Sequence, residues 1–116
     1  MRTTLTKKFN FSASFSKKDK VLGYNYTLEV TTDFMDEETE HLLVEKIEKR
    51  LIRNMDSRDL GLHVDFLKGV EIDDLNLLKT FWRIIEGEIA PKKIYSLSLS
   101  RDGRTRTTMT GVGGRP

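Results

Sequence analysis

The stretch FNFSASFSKKDKVLGYNYTLEV, Phe9 to Val30, decides how the rest of the chain is organised. Leu5, Phe9, Phe11, Ala13 and Phe15 share one parity, with only Lys7 breaking the apolar row. The intervening positions are Thr, Lys, Asn and Ser, which is the period of a strand with one wet face. SKKDK, residues 16–20, reads as a turn. From Leu22 onward Tyr24, Tyr26, Leu28 and Val30 alternate with Asn25, Thr27 and Glu29. The two runs predict an antiparallel pair joined by about four to six residues. One position is odd: Gly23 lies between two large side chains at the head of the second strand.

Outward from this hairpin the period changes. Asp36 is a candidate N-cap for EETEHLLVEKIEKRLIRNM, residues 37–55, which sets Leu43 or Val44, Ile47, Leu51 and Met55 on one stripe. Acidic residues crowd its first turn, basic ones come later, and Glu45 and Lys49 form an i,i+4 pair. Residues 56–72 keep neither period and read as a structured connection. A second helix is expected from Asp73 or Asp74 to Gly87 or Glu88, with Leu78, Phe81, Trp82 and Ile85 inward and Pro91 just beyond its end. Period 2 then returns with Ile94, Leu97 and Leu99. Asp102-Gly103 signals a hairpin, and RTRTTMT, residues 104–110, is a final strand.

The fold class that follows is α+β, with a four-stranded antiparallel sheet in the order strand-strand-helix-helix-strand-strand and two helices on one face. Residues 1–109 are expected to form a single domain and residues 110–116, TGVGGRP, a flexible tail. Such a sheet leaves its outer edges open, and joining copies of the chain edge to edge would cover them.

Composition narrows the function classes. The 116 residues carry 20 Lys and Arg against 18 Asp and Glu, a formal charge of +2 that makes no case for nucleic acid. Cysteine is absent, which removes disulfides, thiolate metal sites and cysteine nucleophiles. No run approaches the about 18 apolar residues of a membrane span. MRTTLTKKF also lacks the apolar core of a signal peptide, so a cytoplasmic protein is expected, without membrane partners.

Chemistry-bearing residues are sparse. His41 falls in the first turns of a charged helix, where a solvent-facing role is expected. His63 and Asp65 form an H-x-D pair, too few ligands for a zinc site. Asp65, Glu71, Asp73 and Asp74 cluster in sequence around a helix start, and GVGG has no helix after it to bind phosphate. Arg101, Arg104 and Arg106 surround the last hairpin without the interleaved aromatics of a nucleic-acid platform.

In element order nearly the whole chain resembles the 6-pyruvoyltetrahydropterin synthase and 6-carboxytetrahydropterin synthase family, whose subunits have the T-fold, or tunnelling fold. Phe11-Ser12-Ala13-Ser14-Phe15 resembles the end of that family's first strand, with Phe15 in the place of a histidine. Leu22-Gly23-Tyr24-Asn25-Tyr26 resembles its histidine-glycine-histidine-asparagine-tyrosine run, with Leu22 and Tyr24 in the histidine places. Leu62 to Leu67 and Leu75-Asn76-Leu77 resemble two further segments, His63 and Val64 standing where an aspartate and a histidine are catalytic. Arg101 stands at the glutamate that anchors the pterin, and the stretch from Thr31 to Phe34 is shorter than usual.

The resemblance implies rings or stacked rings of identical subunits. It implies zinc on three histidines for a working enzyme, yet Phe15 and Leu22 offer no donor atom and neutral Tyr24 a poor one. No cofactor is therefore expected, and no catalytic residue is assigned. A non-catalytic scaffold or small-ligand-binding oligomer is the leading expectation, with a candidate pocket at Phe15, Leu22, Tyr24, Asn76 and Arg101 and a small anionic ligand drawn to Arg101. The alternative is a divergent lyase of that family acting on a pterin triphosphate, which would restore zinc as cofactor.

Overall fold

A computed structural model describes residues 1–111 of the chain. Strands β1 (Thr4–Lys17) and β2 (Lys20–Asp33) pair antiparallel over their whole length, from Thr4↔Asp33 to Lys17↔Lys20. The connection is two residues, Lys18-Asp19, shorter than the turn expected over 16–20. Both residues have positive φ, 51° and 63°. Two-residue hairpins favour this left-handed turn because its twist matches that of the strands, and Asn-Gly usually fills it. Lys and Asp fill it at a cost. Lys18→Asn together with Asp19→Gly should therefore stabilise the protein by about 1 kcal/mol, read as a thermal midpoint some ~4 °C higher. An unchanged or lowered midpoint would show that the turn is unstrained.

The remaining strands complete a five-stranded mixed sheet in the order β3-β1-β2-β4-β5. β4 (Ile94–Arg101) pairs antiparallel with β2, and β5 (Thr105–Thr110) with β4. The fifth strand corrects the expected four. β3 is only Arg58–Asp59 and runs parallel to β1 against Ala13 and Ser14. It is docked from the connection by Ser57 N–H on Ser12 O at 2.6 Å and Leu60 N–H on Ser14 O at 2.7 Å. The Asp56 carboxylate accepts the Ser12 N–H at 2.8 Å. Of the expected tail, Thr110 ends β5 and residues 112–116 lie outside the described residues.

The helices cover one face. α1 (Glu37–Ile47) begins where Asp36 accepts the Thr39 N–H at 2.8 Å. It passes through a π-helical turn, Glu48–Ile52, into the short α2 (Arg53–Met55). Leu51 and Ile52 of this turn both face the core. The Asn54 side chain caps a carbonyl of that turn, Nδ2 to Arg50 O at 2.8 Å. α3 (Asp74–Ile89) is capped by Asp73, which accepts the Asn76 N–H at 2.7 Å.

Between the layers lie Phe9, Phe11, Tyr26, Leu28 and Val30 from the hairpin, Leu97 and Leu99 from β4, and Leu78, Phe81, Trp82 and Ile85 from α3. Phe11 stacks on Tyr26 at 4.9 Å and meets Phe81 edge-on at 6.4 Å, geometries that aromatic pairs prefer. Lys7, the exception in the apolar row, is held by Glu40 of α1 at 3.2 Å. Beyond β1 no strand lies alongside Thr4 to Phe11, and none flanks the outer side of β5, among the described residues.

Candidate functional site

Where the hairpin passes the start of α3, the core face opens into a cleft of about 300 Å³. Phe15, directly opposite Leu22 in the β1–β2 register, forms one wall. Tyr24 stands two residues along on the same side, its ring 6.1 Å from that of Phe15. Ile72 and Leu77 close the apolar side, and Arg101, at the end of β4 opposite Tyr26, enters from the other strand. Four of the five candidate residues thus line one space. Asn76 does not line it. Its side-chain amide is turned to Glu71 O at 3.1 Å and to Asp73 Oδ2 at 3.2 Å, within the helix cap.

The electrostatics of the cleft centre on an ion pair that sequence reasoning missed. Arg101 Nε donates to Asp74 Oδ2 at 2.9 Å, with the arginine side chain 30% and the aspartate 17% exposed. The guanidinium carbon sits 5.1 Å over the Tyr24 ring, in cation–π range. Burial alone depresses the Arg101 pKa, but the charge of Asp74 and its hydrogen bond raise it above the ordinary arginine value. The same geometry pushes the Tyr26 hydroxyl far above the usual tyrosine range, first through burial and then through the nearby Asp74 carboxylate. The Tyr26 hydroxyl is therefore held in its neutral, protonated form at neutral pH. Asp73 and Lys17 complete the lining.

The other sequence candidates are dispersed. His41 and His63 are exposed, and Asp65 opens a 3-10 turn, Asp65–Leu67, away from the cleft lining. The acidic run around residues 65–74 separates into a cap (Asp73), an ion-pair partner (Asp74) and exposed Asp65 and Glu71. Arg106 is bound to Glu29 at 2.5 Å on the opposite face of the sheet, and Arg104 belongs to the β4–β5 turn, so the two make no joint strip. Among the described residues no three His, Cys, Asp or Glu side chains lie together as metal ligands. No helix among them is long and apolar enough to cross a membrane.

No family model and no curated protein matches the chain. Among solved structures it is similar to the 6-pyruvoyl tetrahydropterin synthase of Caenorhabditis elegans, with a TM-score of 0.76 and 15% sequence identity. The match covers 97% of this chain and 99% of that one. An agreement over both whole chains is an agreement of architecture: the chain has an α+β, T-fold-like structure. The five-stranded mixed sheet with its helices on one face, described above, is its form of that fold.

Proposed function

We propose that this chain is a non-catalytic T-fold subunit that assembles with copies of itself and holds a small carboxylate-bearing ligand in the Phe15–Arg101 cleft. The observation that carries the reading is the replacement chemistry of that cleft. The positions that the family resemblance gives to three zinc-binding histidines are Phe15, Leu22 and Tyr24, and they line one space with Arg101. Apolar and aromatic walls with one guanidinium suit a ligand with a flat apolar body and an anionic end. The two carboxylates of the lining are engaged, Asp73 in the cap of α3 and Asp74 on Arg101, so neither is poised as the base a lyase would need. Asp74 already occupies Arg101 Nε, so a ligand carboxylate would bind the two terminal nitrogens and share the charge.

Benzoate is a minimal probe of this arrangement. Calorimetric titration should show binding to the native chain, a loss of about tenfold or more in Arg101→Glu, and a severalfold gain in Asp74→Asn, where the competing charge is gone. Equal affinity in all three proteins would refute the ligand assignment.

The open sides of β1 and β5 support the assembly part of this reading. Unpaired strand edges join readily, and a head-to-tail contact closes into a ring when its rotation allows. Sedimentation velocity at micromolar concentration should give a multimer; a monomer there would rule the assembly out.

A further inference from the structure

The sheet face turned away from the helices carries a second depression, unrelated to the cleft and independent of the reading above. Two adjoining hollows of about 380 and 310 Å³ share Ser12 and Asn25 on their floor. Gly23 lies in the first hollow, and nothing in its backbone demands a glycine. Its register with Ser14 is continuous, its φ is not among the positive values, and an added Cβ would meet only Ala13 O at an ordinary 3.9 Å. A strand-interior glycine costs roughly 0.5–1 kcal/mol, and with bulge and tight turn excluded the remaining use of such a glycine is to admit the close approach of another group.

The hydrogen-bonding groups around Gly23 say what kind of molecule. Ser12 Oγ donates to Asn25 Oδ1 at 2.6 Å, and Thr27 Oγ1 donates to Asn10 Oδ1 at 2.8 Å. Both amide oxygens are thereby taken, which leaves both side-chain NH₂ groups as free donors. On the walls, Asp56 Oδ1 accepts the Ser12 N–H and Asp102 Oδ1 accepts the Asn25 N–H, each at 2.8 Å. Each carboxylate keeps a second oxygen as an acceptor. The two carboxylates flank β1 and β2 from opposite sides, on the order of 10 Å apart by strand spacing, too far to close on one cation.

The geometry points to a site for a neutral, hydroxyl-rich ligand of the saccharide class on this face, its ring lying over Gly23. Each hydroxyl of such a ligand both donates and accepts, which matches amide donors alternating with carboxylate acceptors. The two aspartates outnumber the one cation lining the hollows, Arg58, and so disfavour anions. Val21, near the start of β2, adds one exposed aliphatic side chain to this face, too little surface to hold an apolar ligand. The Glu29 charge further along the face is taken up by Lys8 at 3.7 Å and Arg106 at 2.5 Å.

The test is an amide-resolved NMR titration of the full chain with glucose and maltose, with glucose 6-phosphate as the anionic counterpart. The site predicts saturable shifts confined to Gly23 and to the side-chain NH₂ signals of Asn10 and Asn25. Glucose 6-phosphate should bind more weakly than glucose. Gly23→Val, whose side chain suits a strand and fills the hollow, should abolish the shifts while keeping the folded spectrum. Asn25→Ala should weaken binding about fivefold. Non-saturable or scattered shifts, undiminished binding in Gly23→Val, or tighter binding of the phosphate would each overturn the assignment.

Discussion

Phe81→Ala should lower the urea midpoint of unfolding by about 2 M, the largest loss expected from any single side chain of this protein. Phe81 is fully buried at the middle of α3 and meets the Phe11 ring edge-on at 6.4 Å, over the Phe11–Tyr26 stack. Truncating a core phenylalanine removes its transfer free energy and leaves a cavity, together about 3–5 kcal/mol. A urea dependence of about 2 kcal/mol per molar converts that into the stated shift. The loss is a large share of the about 5–15 kcal/mol that holds a domain folded, so the variant should be marginal at 37 °C. The comparison requires a fixed protein concentration, because the proposed assembly would contribute to stability. A loss below ~1 kcal/mol would mean that the helical layer and the sheet do not share this core.

Placing histidine at three positions should create a zinc site. Phe15 and Leu22 are opposite one another in the β1–β2 register, and Tyr24 is two residues along on the same face, within reach of both. Three imidazoles on one face can hold a tetrahedral ion with the fourth position open. Phe15→His, Leu22→His and Tyr24→His together should give a protein less stable than the parent without metal, since Phe15 is a buried part of the core. With zinc at a hundred times its dissociation constant, stability should recover by ~2.7 kcal/mol. The native chain under the same conditions should not respond. Zinc stabilisation of the native chain equal to that of the variant would show that Phe15, Leu22 and Tyr24 are not where metal ligands would stand.

Local pattern made much of this architecture legible. The alternation through Phe9–Phe15 and Tyr24–Val30 is the burial pattern of the hairpin's middle, because Phe9 to Phe15 and Tyr26 to Val30 bury one face while Leu22 and Tyr24 are partly covered. Asp36 and Asp73 cap the helices that the 3.6-residue period suggested, since capping is a contact across three residues. What escaped depends on partners far along the chain. β3 is two residues long and exists because Ser57 and Leu60 donate to the backbone of β1, a pairing that no period reveals. The two-residue turn was hidden because Lys18 and Asp19 replace the usual glycine and asparagine signal.

The cleft was partly legible for the same reason. Phe15, Leu22 and Tyr24 meet because strand register follows from alternation. Asp74 meets Arg101 across 27 positions, from a helix start to a strand end, and only the packed fold brings them together. The pairing also changes what Arg101 means. Alone it would attract any anion; beside Asp74 it would admit only one that can use the remaining face of the guanidinium.

The zinc content of native protein, purified without chelator and measured by elemental analysis, tests the central claim most directly. With Phe15, Leu22 and Tyr24 at the positions the resemblance gives to histidines, the chain should carry no stoichiometric zinc. One zinc per chain, lost on chelation together with a lyase activity on a pterin substrate, would contradict the account.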